Sequence, residues 1–194
     1  QQTQRPDRDE IIPAASGSGF VISKAGHIVT NHHVIAGCNQ VHVHHQGNSL
    51  PAKVLAIDPV NDLAVVQVEF TPTTIFSIST SNAELLQDIY VAGFPFGYGY
   101  STTIKVTKGV VSSLAGLRNN YSQLQIDAAL QAGNSGGPIL DEAGNVVGVA
   151  VAKLDSDWAL ENLGSVPDDI NFGIKSSVLK SFLEANGIET IEPS

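Results

Sequence analysis

Gly133-Asn134-Ser135-Gly136-Gly137-Pro138 is the stretch on which the reading of this 194-residue chain turns. It sets a serine among glycines, whose backbone amides are uncrowded by side chains and can turn toward a reacting oxygen. A serine hydroxyl is a weak nucleophile at neutral pH unless a base takes its proton and a third group orients that base. Two upstream segments supply such partners. Thr30-Asn31-His32-His33-Val34 brings histidines, and Asp58-Pro59-Val60-Asn61-Asp62-Leu63-Ala64-Val65 brings carboxylates. The order along the chain is histidine, aspartate, serine.

That order separates the competing folds. Gly133-x-Ser135-x-Gly137 also fits the nucleophile elbow of α/β-hydrolases, but that fold needs its histidine after the serine. All six histidines, at 27, 32, 33, 42, 44 and 45, precede Ser135. The subtilisin order would need an aspartate ahead of His33, and Asp7 and Asp9 lie in a polar N-terminal stretch without strand signal.

The rest of the chain suits a single sheet protein. Apolar residues make up 42% and charged residues 15%, with 18 Gly and 9 Pro, a composition of strands and turns more than of helices. A formal charge of −9 without a basic cluster argues against a nucleic-acid partner. No apolar run has the length of a membrane span, and no charged-then-apolar signal segment opens the chain. The lone Cys38 has no internal disulfide partner and reads as a small buried hydrophobe. His42 and His44 share one strand face, but no Cys or carboxylate cluster completes a metal site, and no cofactor is expected.

Residues 1–16, rich in Gln, Arg, Asp and Pro, read as a flexible loop or tail. Short β-type segments follow, among them His27–His33, Ala52–Ile57, Leu63–Phe70, Val146–Val151 and Phe172–Ile174, punctuated by Gly, Asn, Asp and Pro. The convincing helix is terminal: Ser176 or Ser177 as cap, Val178, Leu179, Phe182 and Leu183 at helical spacing, Gly187 as stop. The two halves of the chain each suit a small antiparallel barrel, dividing within Pro72 to Leu85.

With order and pattern in hand, the chain resembles a trypsin-like (chymotrypsin-fold) serine peptidase, and more narrowly the Deg/HtrA type. The carriers are Gly17-Ser18-Gly19-Phe20-Val21-Ile22, Ile28 through Val34, Asp58 through Val65, Gly93-Phe94-Pro95-Phe96-Gly97, Thr107 through Ser112, Gln125-Ile126-Asp127-Ala128-Ala129, Gly133 through Pro138 and Asn171-Phe172-Gly173-Ile174, in the family's order. The resemblance implies an all-β fold of two perpendicular antiparallel six-stranded barrels with a short C-terminal helix. One peptidase domain would span 17–194, with barrels over about 17–72 and 85–175 and the helix over about 177–186. It implies a catalytic triad of His33, Asp62 and Ser135: His33 because it directly precedes Val34, and Asp62 rather than Asp58 because it directly precedes Leu63-Ala64-Val65. Gly133, Asn134 and Ser135 would form the oxyanion-hole segment, its glycine needed for a backbone that other residues adopt poorly.

Further expectations come with the resemblance. Ala129, six residues before the nucleophile, and Leu130 beside it would line the S1 pocket, which suits a small or medium aliphatic P1 residue. An extended substrate would add a strand against Val149, Ala150, Val151, Ala152 and Lys153. Asn134 stands where pancreatic-type enzymes carry an aspartate that pairs with a new N-terminus, so activation by N-terminal cleavage is not expected. The polar Gln1–Ser16 occupies the place of the family's first strand, so either Glu10-Ile11-Ile12 completes the first barrel or an edge stays unpaired. No PDZ domain is expected after the last helix. Unfolded or extended polypeptides are the implied substrates, a homo-oligomer is left open, and the implied location is extracytoplasmic, periplasmic or secreted. The rival reading is a latent or inactive peptidase fold that binds peptides without cleaving them.

Overall fold

The structure, a computed structural model, describes residues 15–95, 103–152 and 170–193. Its strands are β1 (Phe20–Val21), β2 (His27–Thr30), β3 (Val41–His45), β4 (Asn48–Asp58), β5 (Leu63–Gln67), β6 (Asp88–Gly93), β7 (Lys105–Ser113), β8 (Gln123–Ile126), β9 (Pro138–Leu140), β10 (Val146–Val151) and β11 (Asn171–Lys175). Two α-helices lie among the described residues, α1 (His32–Ile35) and the C-terminal α2 (Ser176–Ala185). β6 to β11 close a six-stranded barrel in the order β10-β11-β8-β7-β6-β9, and β1 to β5 form a five-stranded sheet in the order β1-β2-β5-β4-β3.

The second lobe is thus the expected barrel. The first lobe has five strands among the described residues where six were expected, and it does not close. Its edge strand β1 is only two residues long, and Glu10-Ile11-Ile12 lies outside the described residues.

The strands follow from what each face must bury. β5 begins with the unbroken apolar run Leu63-Ala64-Val65-Val66 because it is covered on both sides. Leu63 and Val65 meet β10, β11 and α2, whereas Val66 packs with Ile28 and Val68 under Val41, Val43 and Phe70. In β10 a bulge between Val146 and Gly148 shifts the register, so that Val147 and Ala150 both reach the barrel interior although their spacing is odd. Helix α2 buries Leu179, Phe182 and Leu183 at helical spacing. It ends as expected at Gly187, whose φ of 67° lets the Ile188 amide reach the Leu183 carbonyl at 3.0 Å.

Two boundaries differ from the sequence reading. β4 starts at Asn48, ahead of Pro51, because over this length it pairs only with the edge strand β3, and a proline there forfeits no second ladder. β2 stops at Thr30, since Asn31 turns the chain into α1 and so lifts His33 out of the sheet. The crossing segment then ties the lobes together. Phe76 N donates to Val21 O at 2.8 Å, Ile78 bridges Val146, and the Ser77 hydroxyl donates to Asn145 Oδ1 at 2.6 Å.

Candidate active site

His33 and Asp62 meet because β2 and β5 are neighbours, Thr30 pairing with Ala64, and each chain leaves its strand at the same end of the sheet. Asp62 grips His33 twice. Its Oδ1 accepts the His33 backbone amide at 2.8 Å, and its Oδ2 lies 2.6 Å from ring Nδ1. A neutral ring that donates its Nδ1 proton to this carboxylate keeps its lone pair on Nε2, the tautomer a general base needs. Asn31 does not cap α1 with its side chain; fully buried, it donates Nδ2 to the Asp62 carbonyl at 2.9 Å.

Ser135 is carried on the other lobe, 1% exposed, three residues before the start of β9. Gly136 follows it at φ 85°, where a Cβ would run into Ser18 O and Thr30 Oγ1, so glycine is required by both backbone angle and space. The loop around Ser135 is pinned from both lobes. Gly136 N donates to Ala150 O at 2.9 Å on the barrel side, and Ser18 N donates to Ser135 O at 2.8 Å from the sheet side. Ser18, 5% exposed, is the hub: its hydroxyl donates to Gly133 O at 2.7 Å and accepts Phe94 N at 2.9 Å, while its carbonyl accepts Thr30 Oγ1 at 2.7 Å. The Gly-Ser-Gly stretch around it was visible in the sequence, but nothing local signalled that role.

Several expected site residues behave differently from the sequence reading. Ser135 Oγ accepts the Ala152 amide at 3.2 Å, and no hydrogen bond joins Ser135 to His33 among the described residues. Residues Ala132–Asn134 form a short 3-10 turn in which Asn134 N donates to Gln131 O at 2.8 Å, so that amide is not available to an oxyanion. Gly133 does not have a positive φ; it is glycine because a Cβ would overlap the backbone of Phe94 and Pro95, which corrects the conformational reason expected above. Val149 and Ala150 cannot pair with a substrate strand. β11 covers one edge of both, and Pro138 and Gly137 cover the other. Of the expected pairing segment, Val151 and Ala152 remain without a second strand partner among the described residues, and Lys153 lies outside the described residues, as do Phe96 and Gly97 of the quoted motifs.

Ala129 is solvent-exposed, and Leu130 is half-buried against the barrel interior. The segment from Asp127 is ordered by its neighbours. Val110 N donates to Asp127 Oδ1 at 2.7 Å, Thr107 Oγ1 donates to Ala129 O at 3.1 Å, and Asn171 Nδ2 donates to Ala128 O at 3.0 Å. Asp58, four residues before Asp62, has its carboxyl held below the usual range, chiefly by the hydrogen bond from the Asn61 side chain. No group of three or more His, Cys, Asp or Glu is placed to hold a metal ion among the described residues.

A closed antiparallel barrel beside a second sheet, with a histidine–aspartate pair on the sheet and a serine in a glycine loop on the barrel, is the architecture of trypsin-like peptidases. Comparison with known proteins agrees: the trypsin-like peptidase domain model matches residues 17–149. The chain is 41% identical over 182 residues to the uncharacterized protein y4bJ of Sinorhizobium fredii, covering 93% of this chain and 29% of that protein. It is 36% identical over 177 residues to the chloroplastic protease Do-like 1 of Arabidopsis thaliana, covering 87% of this chain and 40% of that protein. A crystal structure of the serine endoprotease from Yersinia pestis superimposes with a TM-score of 0.71 at 28% identity, covering 88% of this chain and 57% of that one. The chain belongs to the trypsin-like peptidase family, in its Deg/HtrA branch. It spans less than half the length of the two curated relatives.

Proposed function

We propose that this chain is a serine endopeptidase domain that hydrolyses unfolded or extended polypeptides, with Ser135 as nucleophile, His33 as general base and Asp62 as the group that orients it. The observation that carries the reading is the two-point grip of Asp62 on His33, which engages Nδ1 and leaves Nε2 free of the carboxylate. Attack by Ser135 Oγ on a peptide carbonyl passes its proton to Nε2, and the same imidazolium then protonates the departing amine. For this, Ser135 Oγ has to exchange the Ala152 amide for His33, and the Gly133 and Ser135 amides have to face the oxyanion. Apo sites of this kind commonly tighten only around substrate.

A small or medium aliphatic P1 residue fits the same reading. No acid stands at Ala129 or Leu130 to pair with Lys or Arg. Asn171 faces Ile126 across the β11–β8 ladder, and its Nδ2 donates to Ala128 O, next to Ala129. A homo-oligomer and an extracytoplasmic location are proposed on the Deg/HtrA resemblance. No helix among the described residues is long and apolar enough to cross a membrane.

The second reading is a peptide-binding module that does not turn over, favoured by the Ser135–Ala152 contact in place of a Ser135–His33 bond. A fluorophosphonate probe with mass mapping separates the two. Covalent modification of Ser135 is the expected result, and a folded chain left unmodified supports the binding module.

A further inference from the structure

We infer that Asp58 is a positioning residue for the proposed triad, holding from within the turn that delivers Asp62 to His33; the inference rests on the peptidase reading above. β4 and β5 are joined at the Asp58–Leu63 pair, which leaves residues 59–62 as a tight connection. Asp62 stands in it at φ 55°, a left-handed conformation that is uncommon outside glycine, although aspartate adopts it more readily than most, and that needs support from its surroundings.

Packing does not impose it. Val60 at the tip is 91% exposed and Pro59 is exposed too, so no buried apolar side chain anchors the tip. Hydrogen bonds remain. From outside, Asn31 Nδ2 and His32 N donate to the Asp62 carbonyl at 2.9 and 3.2 Å. From inside, Asp58 Oδ1 accepts Val60 N and Asn61 N, both at 3.0 Å, and Oδ2 accepts Asn61 Nδ2 at 2.7 Å. One carboxylate thus satisfies three donors in the two residues directly before Asp62, the arrangement by which an aspartate side chain stands in for a backbone turn. Asp58 touches neither Ser135 nor the ring of His33 among the described hydrogen bonds, and acts only through the placement of Asp62.

Misplacing the orienting carboxylate by about 1 Å suffices to cost roughly a hundredfold in rate. The test compares the full chain with Asp58→Ala and Asp58→Asn, using an internally quenched peptide with valine at the cleaved bond and, in a Ser135→Ala background, the NMR signal of the proton on His33 Nδ1. For Asp58→Ala the expected result is kcat lowered about tenfold to a hundredfold with KM within about twofold, and broadening or loss of the Nδ1 proton signal. Asp58→Asn, which keeps an acceptor for the two amides, is expected to recover most of both. If Asp58→Ala does not fold, Asn61→Ala, which removes only the Oδ2 bond, is expected to give a smaller loss in kcat and a weaker signal. Wild-type kcat together with an unchanged Nδ1 signal in the folded variant overturns the inference. If the unmodified chain cleaves nothing while the signal still depends on Asp58, the peptidase reading fails and the role of Asp58 stands.

Discussion

Replacing Ser18 with alanine removes one hydroxyl and leaves two groups of the candidate site without partners. The Ser18 hydroxyl donates to the Gly133 carbonyl and accepts the Phe94 amide, and Ser18 is 5% exposed, so water does not readily take its place. Orphaning a buried backbone group costs about 1–3 kcal/mol. The Gly133 bond is buried and takes the middle of that range, while the Phe94 bond is partly buried and takes its lower end, for a total of roughly 2–4 kcal/mol. In a domain of this size each kcal/mol lowers Tm by about 2–4 °C, so a fall of roughly 5–15 °C is expected. Urea unfolding gives the free energy directly, and Ser181→Ala serves as control because that hydroxyl is exposed and serves only the Ser177 carbonyl of its own helix. The control is expected to stay within about 0.5 kcal/mol of the unmodified chain. The reaction of Ser135 with a fluorophosphonate is expected to slow in Ser18→Ala, because the Gly133 peptide loses its tether. A destabilisation below about 1 kcal/mol, or one no larger than the control's, refutes the view of Ser18 as the hub joining the lobes at the nucleophile loop.

Gly136→Ala forces a side chain into φ 85° and against Ser18 O, Thr30 Oγ1 and the Asn31 amide, the last at 3.0 Å. A loss of about 3 kcal/mol or more is expected by chemical unfolding, with modification of Ser135 abolished, and a stable reactive variant contradicts the packing. Asn171→Gly removes the side chain that donates to Ala128 O beside the proposed S1 residue Ala129, so kcat/KM for peptides with phenylalanine at P1 is expected to rise about tenfold relative to alanine. An unchanged P1 profile removes Asn171 from the specificity pocket. The Asp58 carboxyl titrates in the folded chain below its ordinary 3.8, so its contribution to stability is complete above that ordinary value and is lost as pH falls through the lowered folded one. The Tm gap between the unmodified chain and Asp58→Asn is therefore expected to hold at neutral pH and to close below about pH 4, and a gap that widens in acid reverses the sign of the argument.

Much of this was legible because the strands and the glycine loop around Ser135 announce themselves locally. The apolar run of β5, the glycine cluster at 133–137 and the stop at Gly187 each state a local requirement that the structure meets. What stayed hidden depends on partners distant in sequence. Ser18 gains its role from a carbonyl 115 residues away, and no pattern around it tells a buried hub from an ordinary Gly-Ser-Gly turn. Asp58 and Asp62 look alike as carboxylates, and position before Leu63-Ala64-Val65 chose between them; the structure gives each a use, one on the histidine and one on the turn. The glycine at 133 was expected for its backbone angle but answers to the crowding of Phe94 and Pro95, a contact that sequence spacing does not reveal. The segment expected over Ala52–Ile57 runs back through Pro51 to Asn48, because a proline is tolerated where only one neighbour is paired.

The central claim, hydrolysis of unfolded polypeptides through Ser135, is tested most directly by incubating reduced, unfolded lactalbumin with the chain and with its Ser135→Ala variant, and by mass spectrometry of the new C-termini. Cleavage by the unmodified chain, absent from the variant and ending at alanine, valine or leucine, is the predicted result. Equal cleavage by both proteins, or none by a folded chain whose Ser135 also resists a fluorophosphonate, contradicts the account.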